Sequence, residues 1–210
     1  MSGPGSRVTV VDDADVDHSA ELLRILRDTG LKKLDEAVQL ASGEMSQYFI
    51  DGKESLSAGA DLRTAAQAIT ERVEAAQIPF DAVGGLTLGA DALAAAIAVV
   101  SGSQWFIVRK EPKNRGTNRL VEGKQIASGD RVLLIDDVVT TGGSILRAFE
   151  AVEDTGARVV AAATLVDRGD RARQVFGERS VPYFPMATYS ELGIPPVGIA
   201  EGVAPHLAGG

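Results

Sequence analysis

Between residues 82 and 166, short apolar runs rich in β-branched residues alternate with helical stretches, and no other feature narrows the fold as much. The runs fall at 82–84, 105–108, 131–135 and 158–166, with helices predicted at 91–100 and 144–155. Such runs have no polar face to show to water, so they belong in a sheet covered on both sides. The expected fold class is therefore α/β, a mainly parallel sheet flanked by helices, with ligands bound beyond the carboxyl ends of the strands. Upstream, Leu62, Ala65, Ala66, Ile69, Val73 and Ala76 recur at a helical period over 61–77, and Pro79 marks the exit. Ser19 is placed to cap a helix running to Gly30 with Leu22, Leu23 and Leu26 on one face. Extended segments at 37–41 and 47–51 flank Ser42-Gly43-Glu44 and predict a β-hairpin. Residues 1–17 are rich in Gly, Ser and Asp and are read as a mobile end. No linker or repeat interrupts the remainder of the chain, so 18–210 is expected to form a single domain.

Composition removes several classes of function. At 210 residues a single core can bury roughly 70% of the chain's surface, so no disulfide or structural metal is needed for stability. The chain has no cysteine, which excludes a disulfide scaffold, a thiolate zinc site, a CxxC motif and a cysteine nucleophile, and suits a reducing cytoplasm. His18 and His206 alone cannot build a His-rich metal site, and both lie near the chain ends. The longest apolar runs, such as 92–100, are about half of the ~20 residues a membrane span needs, and residues 1–17 lack an apolar signal core. The expectation is a cytoplasmic protein with no membrane partner. A net charge of −8 argues against a nucleic-acid partner. The charge is uneven, however. Arg109, Lys110, Lys113, Arg115, Arg119 and Lys124 face only Glu111 and Glu122 within 109–124. Such a cluster is ordinarily a solvated loop.

The most informative string is Val132-Leu133-Leu134-Ile135-Asp136-Asp137-Val138-Val139-Thr140-Thr141-Gly142-Gly143-Ser144. An apolar strand is followed by two carboxylates and then by a hydroxyl-rich and glycine-rich loop opening a helix. Backbone N–H groups at a helix start favour a phosphate dianion, and glycine lets the backbone approach it closely. Asp136 and Asp137, expected at the strand end, are acceptor-only groups suited to hydroxyls between that phosphate and a reacting centre. A phosphorylated sugar satisfies both demands. The acidic pair also resembles the magnesium strand of a nucleoside triphosphatase, but no GxxxxGK[ST] occurs in the chain, and no GxGxxG supports a dinucleotide fold.

At these residues the sequence resembles the type I phosphoribosyltransferases, which bind 5-phosphoribosyl 1-diphosphate (PRPP). Arg109-Lys110-Glu111-Pro112-Lys113-Asn114-Arg115-Gly116-Thr117, followed by Leu120-Val121-Glu122-Gly123, is similar to the mobile catalytic loop of the orotate-specific members, and accounts for the basic cluster. Gly84-Gly85-Leu86-Thr87-Leu88-Gly89-Ala90-Asp91 resembles their pyrophosphate loop, and Val166-Asp167-Arg168 their orotate-binding strand end. Ser42-Gly43 with Tyr48-Phe49-Ile50-Asp51 resembles the small N-terminal hood, expected over 35–55. The five motifs stand in the family's order across about 20–190.

The resemblance implies transfer of the 5-phosphoribosyl group from PRPP to orotate, giving orotidine 5′-monophosphate and pyrophosphate in pyrimidine biosynthesis. It implies Lys113, Asp136 and Asp137 as catalytic residues. PRPP would be held by Thr87, Arg109, Lys110, Lys113, Arg115, Asp136, Asp137, Val138, Val139, Thr140, Thr141, Gly142, Gly143 and Ser144, and orotate by Thr140 and Arg168. Without the resemblance, Arg168 reads equally well as a surface ion pair with Asp167 or Asp170, and 84–89 as an ordinary βα turn. Mg²⁺ is implied as cofactor, held by PRPP and water rather than by a protein cage. A homodimer is implied as well. The chain departs from the family pattern at Arg115, where many bacterial members have histidine, and at Ala41, where some have lysine. Arginine keeps its charge at any pH but cannot shuttle a proton. Two rivals remain open: a type I enzyme for another nucleobase, and a non-catalytic PRPP-sensing regulator.

Overall fold

The computed structural model describes residues 16–40, 42–111 and 120–197. Helix α1 (His18–Ile25) ends in a π-helical turn (Leu26–Gly30) and leads into strands β1 (Leu31–Gln39) and β2 (Met45–Ile50). A single helical turn α2 (Gly52–Ser55) precedes α3 (Gly59–Ala75), β3 (Ala82–Leu86), α4 (Asp91–Ser101), β4 (Gln104–Val108) and β5 (Val121–Gly123). Then come β6 (Arg131–Val139), α5 (Gly143–Glu153), β7 (Arg158–Asp167), α6 (Arg171–Glu178) and β8 (Tyr183–Thr188).

The apolar runs behave as their composition demands. Val132, Leu133, Leu134 and Ile135 are all fully buried, and they alternate between two apolar clusters on opposite faces of the sheet. Leu133 and Ile135 meet side chains of α1, α3 and α4, such as Leu22, Ile69 and Leu93. Val132 and Leu134 meet Ile145 and Val152 of α5 and Phe176 of α6. The six-stranded sheet runs β5-β4-β3-β6-β7-β8; β3, β4, β6, β7 and β8 pair in parallel and β5 pairs antiparallel with β4. β1 and β2 form a separate antiparallel hairpin. The α/β class with a mainly parallel sheet and a small N-terminal hairpin is thus observed. Among the described residues no helix is long and apolar enough to cross a membrane.

Several expectations are corrected. The α1 cap is Asp17, whose carboxylate accepts the Ala20 N–H at 3.0 Å, rather than Ser19. The hairpin strands span 31–39 and 45–50 rather than 37–41 and 47–51, because β1 begins at Leu31 with charged, mostly exposed residues that hide any apolar alternation. β6 continues to Val139, four residues past its expected end, so Asp136 and Asp137 lie inside a paired strand. β5, α2, α6 and β8 were not foreseen. β8 carries Pro185, which an edge strand tolerates.

Phe176 ties α6 to the sheet. It is fully buried, stacks on Tyr183 with centroids 5.3 Å apart, and meets Phe149 edge-on at 6.1 Å. Phe176→Ala is expected to cost about 3–5 kcal/mol, read as a lower urea midpoint at unchanged slope. A loss below about 1 kcal/mol would contradict this packing.

Candidate active site

The strand order places β4 on one side of β3 and β6 on the other, so chain direction across the sheet reverses between β3 and β6. In open parallel sheets the carboxyl ends part at such a point and leave a crevice. The segments that follow β3 and close β6 contain most of the residues singled out from the sequence.

Asp136 is buried, at 4% exposure. Its carboxyl titrates well above the usual carboxylate range, first because burial penalises the charged form and second because Asp137 lies beside it. Its Oδ1 accepts the Asp137 N–H at 3.0 Å. Asp137 is half-buried, and its Oδ1 accepts the Val138 N–H at 2.8 Å. The loop after β3 reaches the same carboxylate: a Cβ on Gly89 would stand 2.4 Å from Asp137 Oδ1. Only glycine permits this approach. In that loop the Thr87–Leu88 peptide is cis, and the Thr87 N–H donates to the Val108 carbonyl at 2.8 Å. Asp91, at the start of α4, is pushed up by burial, with a hydrogen bond from Thr87 offsetting part of the rise.

Beyond β6, Thr140 and Thr141 lead to Gly142, which caps α5 at φ +81°, a left-handed conformation suited to glycine. No side chain caps this helix, and Thr141, Gly143 and Ser144 are exposed. The first N–H groups of α5 are therefore open to an anion.

Arg168 follows β7 and is 1% exposed. Its N–H donates to the Val139 carbonyl at 2.8 Å, fastening it beside the Thr140 loop. Nη1 donates to the Tyr48 carbonyl at 2.7 Å, Nη2 contacts Ser46 Oγ at 3.2 Å, and Nε is buried without a hydrogen-bond partner. The alternative of an ion pair with Asp167 or Asp170 is not observed; among the described residues Arg168 has no carboxylate within 4 Å, and burial lowers its pKa. Asp167 instead accepts the Gly169 N–H at 3.1 Å, and burial raises its pKa to about 6.

The described end of the basic segment also reaches the crevice. A cavity of about 410 Å³ is lined by Thr87, Leu88, Ile107, Arg109, Lys110 and Glu111. Arg109 is paired with Glu122 at 3.2 Å. Lys113 and Arg115 lie outside the described residues. A larger cavity of about 900 Å³ opens at the opposite, amino edge of β3 and β4, and none of the expected site residues line it.

Two contributors escaped the sequence reading. Ser46 holds Arg168, and Lys53 of α2 places Nζ 3.5 Å from Asp137 Oδ2. Both come from the hairpin or the turn after it, far from the site in sequence, and neither belongs to a motif.

Comparison with known proteins agrees with this geometry. A profile of the phosphoribosyl transferase domain matches residues 54–181, which run from α2 through α6. The orotate phosphoribosyltransferase of Pyrococcus furiosus is 37% identical over 172 residues, 82% of this chain and 93% of its own length. That of Corynebacterium glutamicum is 37% identical over 181 residues, covering 85% and 96%. This chain belongs to the phosphoribosyltransferase family. A crystal structure of Mycobacterium tuberculosis orotate phosphoribosyltransferase in complex with PRPP superposes with a TM-score of 0.69 at 32% identity, covering 84% of this chain and 99% of that one. The superposition thus covers more of the chain than the profile match.

The burial of Asp136 carries a stability consequence. A carboxyl that titrates higher folded than unfolded binds its proton more tightly in the native state, so its contribution to stability falls as pH rises above about 4. Asp136→Asn should therefore raise the melting temperature, and by more at pH 8 than at pH 5. A gain that is equal at both pH values, or a loss at pH 8, would contradict the assignment.

Proposed function

We propose that this phosphoribosyltransferase moves the 5-phosphoribosyl group of PRPP to a ring nitrogen of orotate, giving orotidine 5′-monophosphate and pyrophosphate, a step of UMP biosynthesis. The observation that carries the reading is the meeting at one sheet edge of an open helix start, an acidic pair and a buried arginine fork. Those three features match the phosphate, the ribose hydroxyls and the carboxylate of the two reactants. Relatives named as orotate phosphoribosyltransferases span more than four-fifths of the chain.

In this reading Thr140, Thr141, Gly142, Gly143 and Ser144 receive the 5-phosphate, with the backbone of Val138 and Val139 leading into the loop. Asp136 and Asp137 accept from the ribose hydroxyls and face the positive charge that grows at the anomeric carbon as its bond to the diphosphate breaks and the bond to orotate forms. Thr87, Arg109 and Lys110 meet the leaving diphosphate, together with Lys113 and Arg115. Thr140 and Arg168 meet orotate, and Arg168 supports the choice of base because its planar fork suits a carboxylate. Burial strengthens that attraction.

Among the described residues no three His, Cys, Asp or Glu side chains group to hold a metal. A Mg²⁺ accompanying PRPP would be held by diphosphate oxygens and water, as is usual for this ion, and would neutralise charge on the leaving group. We further propose that the enzyme is a cytoplasmic homodimer with no nucleic-acid partner. Exposed apolar residues in the β3–α4–β4 unit (Leu88, Val99, Val100 and Trp105) and in the hairpin (Val38, Met45 and Phe49) offer apolar surface for self-association.

Steady-state kinetics test these roles. Arg168→Ala should raise the orotate KM at least tenfold, about the cost of losing one charged hydrogen-bonded contact, and leave the PRPP KM within about threefold. Equal effects on both would move Arg168 out of the base site. Lys113→Ala should lower kcat by roughly 10²–10³, the penalty for removing one donor to a developing anion. Near-normal turnover would overturn the role given to that lysine.

A further inference from the structure

The short turn α2 lies against the acidic pair. A Cβ on Gly52 would stand 3.1 Å from the Cβ of Asp137, so the turn packs tightly against the strand. Asp51 Oδ1 accepts the N–H groups of Lys53 and Glu54, each at 3.1 Å, which fixes the turn and with it the start of the Lys53 side chain. Among the described residues, Lys53 is the only ion-pair partner of Asp137. Its charge also reaches Asp136 and Asp91, where it opposes the upward push of burial. One ammonium therefore serves three carboxylates at the place where a substrate carrying a phosphate and a diphosphate must enter.

The two oxygens of Asp137 are held differently. Oδ1 is fixed by the Val138 N–H within β6, whereas among the described residues the cation facing Oδ2 is Lys53, 3.5 Å away on a separate element. Without Lys53 that oxygen would lose its cationic partner, and the acidic cluster would repel the incoming polyanion more strongly. A few residues earlier the same segment carries Ser46 and Tyr48, which hold Arg168. The hairpin and its following turn thus brace both the base side and the ribose side of the site.

We propose that Lys53 is a positioning residue for phosphoribosyl transfer, holding Asp137 oriented to receive the ribose hydroxyls of PRPP. The proposal rests on the reading that Asp137 meets PRPP. It differs from direct capture of the diphosphate by Lys53, in which the lysine would act independently of Asp137.

Calorimetric titration of PRPP with Mg²⁺ and no base, into the full chain and its Lys53→Ala, Lys53→Arg, Asp137→Asn and double Lys53→Ala/Asp137→Asn variants, separates the two. Lys53→Ala should weaken PRPP binding about fivefold, the scale of a partly exposed ion pair, and Lys53→Arg should restore it to within about twofold. In the Asp137→Asn background, Lys53→Ala should change binding by less than about twofold, because a residue that acts through another loses its effect when that other is removed. The orotate KM of Lys53→Ala should stay at the wild-type value. Unchanged PRPP binding in Lys53→Ala, the same fivefold loss in both backgrounds, or a parallel rise in the orotate KM would each overturn the proposal. Lys53 is largely exposed, and equal melting temperatures of Lys53→Ala and wild type exclude unfolding as the cause. A wild-type protein that binds PRPP but does not turn over orotate would overturn the choice of base and leave this test standing. One that does not bind PRPP would overturn both readings.

Discussion

The burial of the Asp136 carboxyl at the carboxyl edge of β6 is the constraint around which the site is arranged. Removing a carboxylate from water is costly unless hydrogen bonds replace the lost solvent, and here the protein supplies Asp136 with an N–H from Asp137 and places a second acid beside it. An apolar residue at this place in a buried strand would be more stable. The arrangement makes sense as a site whose missing donors arrive with the ligand, since a sugar diol provides the O–H groups that the protein withholds. Function therefore occupies the one stretch where the apolar pattern of β6 is broken while its pairing with β7 continues.

The surroundings reflect that choice. The loop after β3 and the turn before α3 both come up against Asp137 with glycine: a Cβ at Gly89 would force the Asp137 carboxylate to shift, and one at Gly52 would sit in tight contact with its Cβ. On the far side of β6, the Val139 carbonyl accepts the Arg168 N–H, so the loop that begins at Thr140 and the arginine share one anchor. The hairpin closes the arrangement: Tyr48 and Ser46 hold the guanidinium, and five residues after Tyr48, Lys53 meets the acid. The Arg168 guanidinium and the acidic pair are thus joined by a short covalent path as well as through the sheet.

The sequence revealed the parts of this molecule whose physics is local and periodic. The apolar residues within 82–84, 132–135 and 161–166 are buried on both faces, while 105–108 leaves Trp105 exposed, and the Asp-Asp-to-Ser144 string contains its whole hydroxyl-rich and glycine-rich loop within nine residues. Where contacts are distant in sequence, the reading failed. Nothing in Lys53 or Ser46 marks them as neighbours of Asp137 and Arg168, which lie 84 and 122 positions away. The edge strand β8 was missed because Pro185 breaks its pattern, and the hairpin's first strand because its charged, exposed residues carry no alternation. The two acids hid the end of β6 for a related reason: carboxylates look like the end of a strand, although here the strand continues because its pairing with β7 does.

The account turns on which base this edge accepts. The direct test incubates the protein with PRPP, Mg²⁺ and an equimolar mixture of orotate, adenine, hypoxanthine and uracil, and identifies the nucleotide formed by mass spectrometry. Orotidine 5′-monophosphate as the only nucleotide, formed in step with pyrophosphate, is the predicted result. A purine nucleotide or uridine monophosphate as the product, or no nucleotide at all, would contradict it.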